Sequence, residues 1–258
     1  MTPAGDAKLA VQFNHCQGNL DLDVRFALEQ PWTVLFGPSG SGKTTVLRSI
    51  AGFVRPATGR IVAFDKKVML DSAAKVYVRP HLRPVRSAAQ GARLFPHMTV
   101  GANVVFGSGW HSKPADTNQL VDEVLALFGL RAMADRMPRD LSGGESQKAA
   151  VARAVVSAVT GGKTILLLDE PFSGLDLRVR DELLSRLKDW LAVWKMPVLS
   201  VTHDVAEAFQ LGAEVIKLAD GKVVEQGPVE VVLAEERRRL LGQLREPTSQ
   251  KRDVGHPI

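Results

Sequence analysis

Residues 35–47, LFGPSGSGKTTVL, constrain the fold more than any other stretch, because three glycines, a proline and two serines separate two apolar segments of different periodicity. Before them, Thr33 to Phe36 reads as a short buried strand. After them, Val46, Leu47, Ile50 and Ala51 recur at helical spacing until Gly52, a natural helix stop. A glycine-rich bend between strand and helix lets successive backbone N–H groups turn inward, and the new helix aims its N-terminus at the same point. Phosphate oxygens fit such a cradle. Gly37, Gly40 and Gly42 are expected to adopt positive φ and to admit phosphate where a Cβ would block it. Pro38, Ser39, Ser41 and Thr45 complete the loop, Lys43 would reach the β- and γ-phosphates, and the Thr44 hydroxyl would ligate Mg²⁺. The segment matches G-x-x-x-x-G-K-[ST] in the strand, loop and helix context that the motif needs.

The remaining composition excludes several classes. No stretch of the 258 residues reaches the length of an apolar membrane span, and the start, MTPAGDAKLAVQF, lacks a basic region followed by an apolar one. A cytosolic chain is therefore expected. Cys16 is the single cysteine, and the six histidines show no metal-ligand spacing, which agrees with a reducing compartment and no structural zinc. The formal charge of +5 suits an anionic partner, whether nucleotide, nucleic acid or lipid surface, and equally a solvated basic surface.

A phosphate cradle alone does not say what is done with the phosphate. Residues 165–170, ILLLDE, add an unbroken apolar run of the kind found in a central parallel strand covered on both faces. Two carboxylates end it. Ligands of open α/β sheets bind beyond the carboxyl ends of the strands, so Asp169 and Glu170 are expected beside the phosphate loop. Asp169 fits a Mg²⁺ partner acting through water, and Glu170 a base that orients or deprotonates the attacking water. Residues 141–147, LSGGESQ, form a capping box at Ser142 and Glu145, with Ala149, Ala150, Ala154, Val155 and Ala158 supporting the helix behind it. Gly143 and Gly144 leave that helix end bare of bulk, a second anion-binding terminus where one nucleotide needs a single one.

Taken together, GPSGSGKT, the glutamine of AAQGARLFPH (Gln90), LSGGESQ, LLLDE, PFSGLD and the histidine of SVTHD (His203) resemble the ATP-binding subunits of ABC transporters, in order and in approximate spacing. The resemblance covers most of residues 9–235. It implies an α/β P-loop NTPase core with a mixed, mainly parallel sheet and an α-helical subdomain. It also implies a head-to-tail homodimer in which ATP lies between the phosphate loop of one copy and Ser142, Gly143 and Gly144 of the other. Gln90 would then touch both Mg²⁺ and the attacking water, and His203 would hydrogen-bond the γ-phosphate. Asp176 would lie at the dimer seam, although locally it reads equally well as a cap for the helix of Leu177, Leu183, Leu184, Leu187 and Leu191. Phe13 is the candidate for stacking on adenine.

One α/β domain over 1–235 is expected, with a helical insertion at about 91–160 carrying Leu120, Val124, Leu125 and Phe128 and stopping at Gly129. LADGKVV carries an Asp-Gly hairpin signal, and 236–258 reads as a terminal helix and tail. ARLFPHMTVGANVVFG is similar to the region through which bacterial importer ATPases grip their permease subunits, with Leu94, Phe95, Pro96 and Met98 as contacts. Arg93 and the run from GRIV to LRPV look most like molybdate-type importers, whereas Gly91 and Lys148 depart from the commoner acidic residue and arginine. The resemblance thus implies an ATPase on the cytoplasmic face of the inner membrane. It would power uptake of a small solute, with molybdate or a related oxyanion as the leading candidate and a solute-binding protein involved indirectly. No nucleic acid is expected; the alternative is a soluble ABC ATPase acting on nucleic acid or ribosomes.

Overall fold

A computed structural model of the chain describes residues 7–64, 66–89, 91, 93–106, 108 and 114–243. Strands β1 (Leu9–Gln17), β2 (Leu20–Leu28) and β3 (Trp32–Phe36) lead into helix α1 (Lys43–Ala51), followed by β4 (Thr58–Ala63), β5 (Lys67–Asp71), β6 (Val76–Tyr77) and β7 (Val85–Ala88). Helices α2 (Val100–Phe106), α3 (Pro114–Leu127) and α4 (Gly143–Thr160) separate β7 from β8 (Ile165–Asp169). Next come α5 (Leu177–Val193), β9 (Val198–Thr202), α6 (Val205–Leu211), β10 (Glu214–Ala219), β11 (Lys222–Pro228), α7 (Val229–Val232) and α8 (Ala234–Gln243).

Among the described residues one sheet forms, in the order β6-β5-β4-β1-β2-β11-β10-β3-β9-β8-β7. Its pairings divide evenly between antiparallel and parallel, the parallel ones being concentrated from β10 through β3, β9 and β8 to β7. Strands β3, β8 and β9 are buried at every position, which is what their unbroken apolar runs require when both faces are covered. Successive side chains then serve opposite layers. Leu35, Leu167 and Val201 pack with Val46, Leu47 and Ile50 of α1. Val34, Leu168 and Val198 pack on the other side with Val155 of α4 and Leu184 and Leu187 of α5. Each fully buried leucine here contributes about 2 kcal/mol. Val104, Val124 and Phe128 from the helical segment join that second layer, and Gly129, at φ 66°, ends the chain's run through α3.

The expected Asp-Gly hairpin joins β10 to β11, with Asp220 at φ 47° and Gly221 at φ 77°. A Cβ on Gly221 would lie 2.1 Å from the Asp21 carbonyl oxygen, so this turn also lets β11 reach β2 and join the antiparallel and parallel parts of the sheet. Phe13 corrects an expectation. It sits opposite Val24 and Gly59 in the antiparallel strands and is 0 % exposed. A ring enclosed in the core has no face to offer adenine, so Phe13 is a packing residue.

Arg83 escaped the sequence reading. Its guanidinium is buried, donating to the carbonyl oxygens of Ser49 and Ile50 at 2.8 and 2.7 Å and to that of Val78 at 2.9 Å. Those first two carbonyls are at the C-terminal end of α1, where a cation complements the helix dipole. The Tyr77 ring covers the guanidinium and its hydroxyl donates to Gly52 O at 2.6 Å. The helix behind the phosphate loop is thus held at its far end by a buried charge.

Candidate active site

The loop between β3 and α1 is shaped by two different demands on glycine. Gly40 and Gly42 lie at φ 81° and 101°, in the left-handed region. Gly37, expected there too, does not share it; a Cβ on Gly37 would fall 2.1 Å from the Leu218 carbonyl oxygen, so close approach to β10 selects glycine there. Lys43 folds back over the loop and donates to the carbonyl oxygens of Gly37 and Pro38, both at 2.8 Å. Burial lowers its pKa, against the opposing pull of the Glu170 and Asp169 carboxylates. The Ser41 hydroxyl is buried without a hydrogen-bond partner, while Pro38, Ser39 and Gly40 are exposed. Thr45 Oγ1 donates to Gln17 Oε1 at 2.9 Å, tying α1 to the turn between β1 and β2.

Strand register brings the acidic residues to this loop. Phe36 of β3 pairs with Thr202 of β9, and Val201 of β9 with Asp169 of β8, so three carboxyl ends finish at one level. Thr44 Oγ1 donates to Asp169 Oδ1 at 3.3 Å. Burial raises the pKa of Asp169, and the Thr44 hydroxyl and Lys43 partly offset it. Thr44 and Asp169 are therefore two hard oxygen donors side by side, a partial shell of the kind Mg²⁺ completes with phosphate and water. Among the described residues no cluster of three or more His, Cys, Asp or Glu could hold a metal without such help.

Glu170 follows directly, at φ 45°, a strained conformation for a non-glycine residue. The bend turns its side chain to His203, whose Nδ1 is 2.8 Å from Glu170 Oε1. With the carboxylate as acceptor, Nδ1 carries the proton and Nε2 is left as the second functional atom of the ring. Two backbone contacts hold the bend: Glu170 N donates to Val201 O at 3.1 Å, and Gln147 Nε2 donates to Glu170 O at 3.1 Å. Gln147 belongs to α4, a link between LSGGESQ and ILLLDE that neither motif reveals alone.

Ser142 caps α4 as its sequence predicts, accepting from Glu145 N at 3.3 Å while Glu145 Oε2 accepts from Ser142 N at 2.7 Å. A Cβ at Gly143 would meet nothing within 4 Å, but one at Gly144 would come 2.7 Å from Leu175 Cδ2. The amides at this end are thus reachable at Gly143 and packed from behind at Gly144. Asp176 caps α5, accepting from Arg178 N at 3.0 Å, and Leu177 beside it is exposed and outside the core helix face. Gln90 lies outside the described residues. In the segment after it, Leu94 is buried in the core, which removes it from the expected contact surface. The Phe95 ring packs against that of Phe106 at a tilt of 60°, with 4.5 Å between centroids, beneath the Arg153 guanidinium, and Asn103 binds both the N–H and the carbonyl of Phe95.

Behind His203 is a network that no local motif announces. Asp204 caps α6 through the amides of Ala206 and Glu207 and pairs with Arg180 of α5 at 2.7 Å. Burial alone would raise the Asp204 carboxyl, but Arg180 and the two amides outweigh it and hold the pKa down. Glu207, 7 % exposed, accepts from Thr202 Oγ1 at 3.0 Å. Burial pushes its pKa up from 4.5 to about 7, with Thr202 and Arg180 opposing and Asp204 and Glu170 adding to the rise. The unfolded chain ionises this carboxyl from about pH 4.5, the folded chain only near 7, so rising pH favours unfolding between the two values. Its stabilisation is full below about 4.5 and lost as pH rises through about 7. Relative to Glu207→Gln, the native chain should therefore lose about 3 kcal/mol over that window in denaturant titrations; a pH-independent difference would contradict the burial.

A family model described as ABC transporter matches residues 21–173. The molybdenum import ATP-binding protein ModC of Mesorhizobium japonicum is 38% identical over 223 residues, covering 86% of this chain and 59% of that protein. The protein of the same name from Rhizobium etli is 36% identical, covering 97% of this chain and 70% of its own length. This chain thus spans between about half and three quarters of these relatives. Among solved structures, a part of the cbiONQ ABC transporter complex of Clostridium perfringens superposes with a TM-score of 0.72 at 25% identity, over 94% of this chain and 97% of that one. A bacterial ABC transporter cassette solved as a dimer does so with a TM-score of 0.69 at 25% identity, over 86% of this chain and 98% of that one.

Proposed function

Since the chain belongs to the ABC transporter family, we propose that it is the ATP-binding and ATP-hydrolysing subunit of an importer for molybdate or a closely related oxyanion, working with separate membrane subunits. The observation that carries the reading is the common level of the phosphate loop, Asp169 and the Glu170–His203 pair at the carboxyl ends of β3, β8 and β9. The cargo follows from relatives named for molybdenum import at 36% and 38% identity.

The chemistry assigned to each residue follows from its surroundings. The backbone N–H groups from Ser39 to Thr45 hold the triphosphate, with the unpartnered Ser41 hydroxyl as a further donor. Lys43 exchanges two carbonyl contacts for the β- and γ-oxygens, where its charge is better used. Thr44 and Asp169, with Gln90, are the residues that would hold Mg²⁺; when bound, the ion neutralises charge on the phosphate oxygens. Glu170 takes the proton of the attacking water, and His203, its ring N–H released from Glu170, donates to the γ-phosphate. Ser142, Gly143 and Gly144 of a second copy supply helix-end amides to the same nucleotide, with Asp176 at the seam. The helical segment at about 91–160 forms an arm of the 1–235 domain, and α8 begins the expected terminal segment 236–258, of which 244–258 lie outside the described residues. Phe95, Pro96 and Met98, with the exposed Phe106 beside them, are the surface that meets the membrane subunits at the cytoplasmic face of the inner membrane. No helix among the described residues is long and apolar enough to cross a membrane, so the path for the solute lies in those subunits.

Reconstitution of the chain with its co-purifying membrane subunits in vesicles tests this reading. ATP-dependent uptake of labelled molybdate, blocked by excess tungstate and not by sulfate, is the expected result. ATP hydrolysis without oxyanion uptake would overturn the cargo, and no hydrolysis would overturn the whole.

A further inference from the structure

We propose that Glu207 is a positioning residue for His203, acting through the Thr202 hydroxyl to fix the turn that carries the imidazole. The proposal rests on the reading of this chain as an ATPase that uses Glu170 and His203. The His203 side chain is 57 % exposed, so beyond its contact with Glu170 the ring is placed by the backbone from Thr202 to Asp204 rather than by packing. Thr202 Oγ1 accepts the Asp204 N–H at 3.0 Å and has one proton of its own, which it gives to Glu207 Oε2 at 3.0 Å. The hydroxyl thereby accepts from one residue and donates to another on the far side of His203, and it locks the two residues flanking the histidine together. Glu207 stands one turn into α6, whose N-terminus is fixed to the same turn by the Asp204 cap and to α5 by the pair between Arg180 and Asp204. A carboxyl with one oxygen buried and unpartnered would be replaced by an apolar group if packing were its purpose. Its second oxygen explains its presence, because Thr202 needs an acceptor there.

Steady-state ATP hydrolysis by the full chain tests this with two pairs of variants. Glu207→Leu and Thr202→Val should each lower kcat about tenfold with KM for ATP within about twofold of wild type. Glu207→Gln and Thr202→Ser, which keep the acceptor and the hydroxyl, should retain at least about half of wild-type kcat. The double variant Glu207→Leu with Thr202→Val should be no slower than either single one, because the two groups act as one device. A merely structural carboxyl would shift melting temperature and the amount of folded chain without splitting kcat from KM. Should Glu207→Leu fail to fold, the Thr202 pair decides: Thr202→Val at wild-type kcat overturns the proposal, as does Glu207→Gln as slow as Thr202→Val. Fully multiplicative losses in the double variant overturn it too. The underlying reading is judged separately by wild type and Glu170→Gln. An inactive wild type, or an active Glu170→Gln, sinks both, whereas active wild type, inactive Glu170→Gln and unimpaired Thr202→Val sink this proposal alone.

Discussion

Glu170→Gln should leave ATP binding intact and slow its hydrolysis about a thousandfold, equivalent to about 4 kcal/mol of barrier. The substitution conserves shape and keeps an oxygen that can accept from His203 Nδ1, now 2.8 Å from Glu170 Oε1. It also leaves the strained backbone at φ 45° with its two anchors, Val201 O and Gln147 Nε2. What is removed is the ability to take a proton, together with the carboxylate's negative charge. The Kd for ATP should therefore stay within about twofold of wild type while phosphate release nearly stops. If two copies share each nucleotide, an ATP-bound dimer should accumulate and elute earlier from a sizing column. Wild-type turnover in this variant would remove Glu170 from the chemistry.

Lys43→Ala should weaken ATP binding by at least about a hundredfold, close to 3 kcal/mol. Without nucleotide, the ammonium is kept by the carbonyl oxygens of Gly37 and Pro38 and is partly desolvated, which lowers its pKa. A triphosphate offers that buried cation anionic oxygens instead of neutral ones, and charge-assisted contacts are about twice as strong. Alanine forfeits this exchange and also leaves the two carbonyls without their donor, so the loop loses both its charge and its internal brace. Isothermal titration with ATP reads the affinity directly; a Kd equal to wild type would show that the loop does not clasp phosphate through this lysine.

The elements that positioned this site were legible where a local pattern had one physical solution. Thr33 to Phe36 and the run from Ile165 to Asp169 are legible as strands from consecutive apolar residues, and the Gly52 stop and the box of Ser142 and Glu145 are contacts made within a few residues. Pairings across long sequence distances left no such mark. Phe13 reads as an aromatic residue near an N-terminus, and only its partners Val24 and Gly59 make it core. Leu94 is indistinguishable in sequence from Phe95 beside it, yet one is buried and the other stacks near the surface. Arg83 and Glu207 carry surface-type side chains, and nothing in their neighbours announces burial.

The chain's sequence by itself determined the phosphate loop, the acidic strand end, the capped helix and the Asp-Gly turn, because backbone sterics and hydrogen bonding to near neighbours decide them. Tertiary structure alone decided the even mixture of the sheet, the level at which Phe36, Thr202 and Asp169 end, and the reason for glycine at 37, which is the Leu218 carbonyl of a distant strand. It also decided which charges would be buried, as a group's solvation depends on everything that packs around it, whereas a helix cap or a turn depends on a handful of consecutive residues.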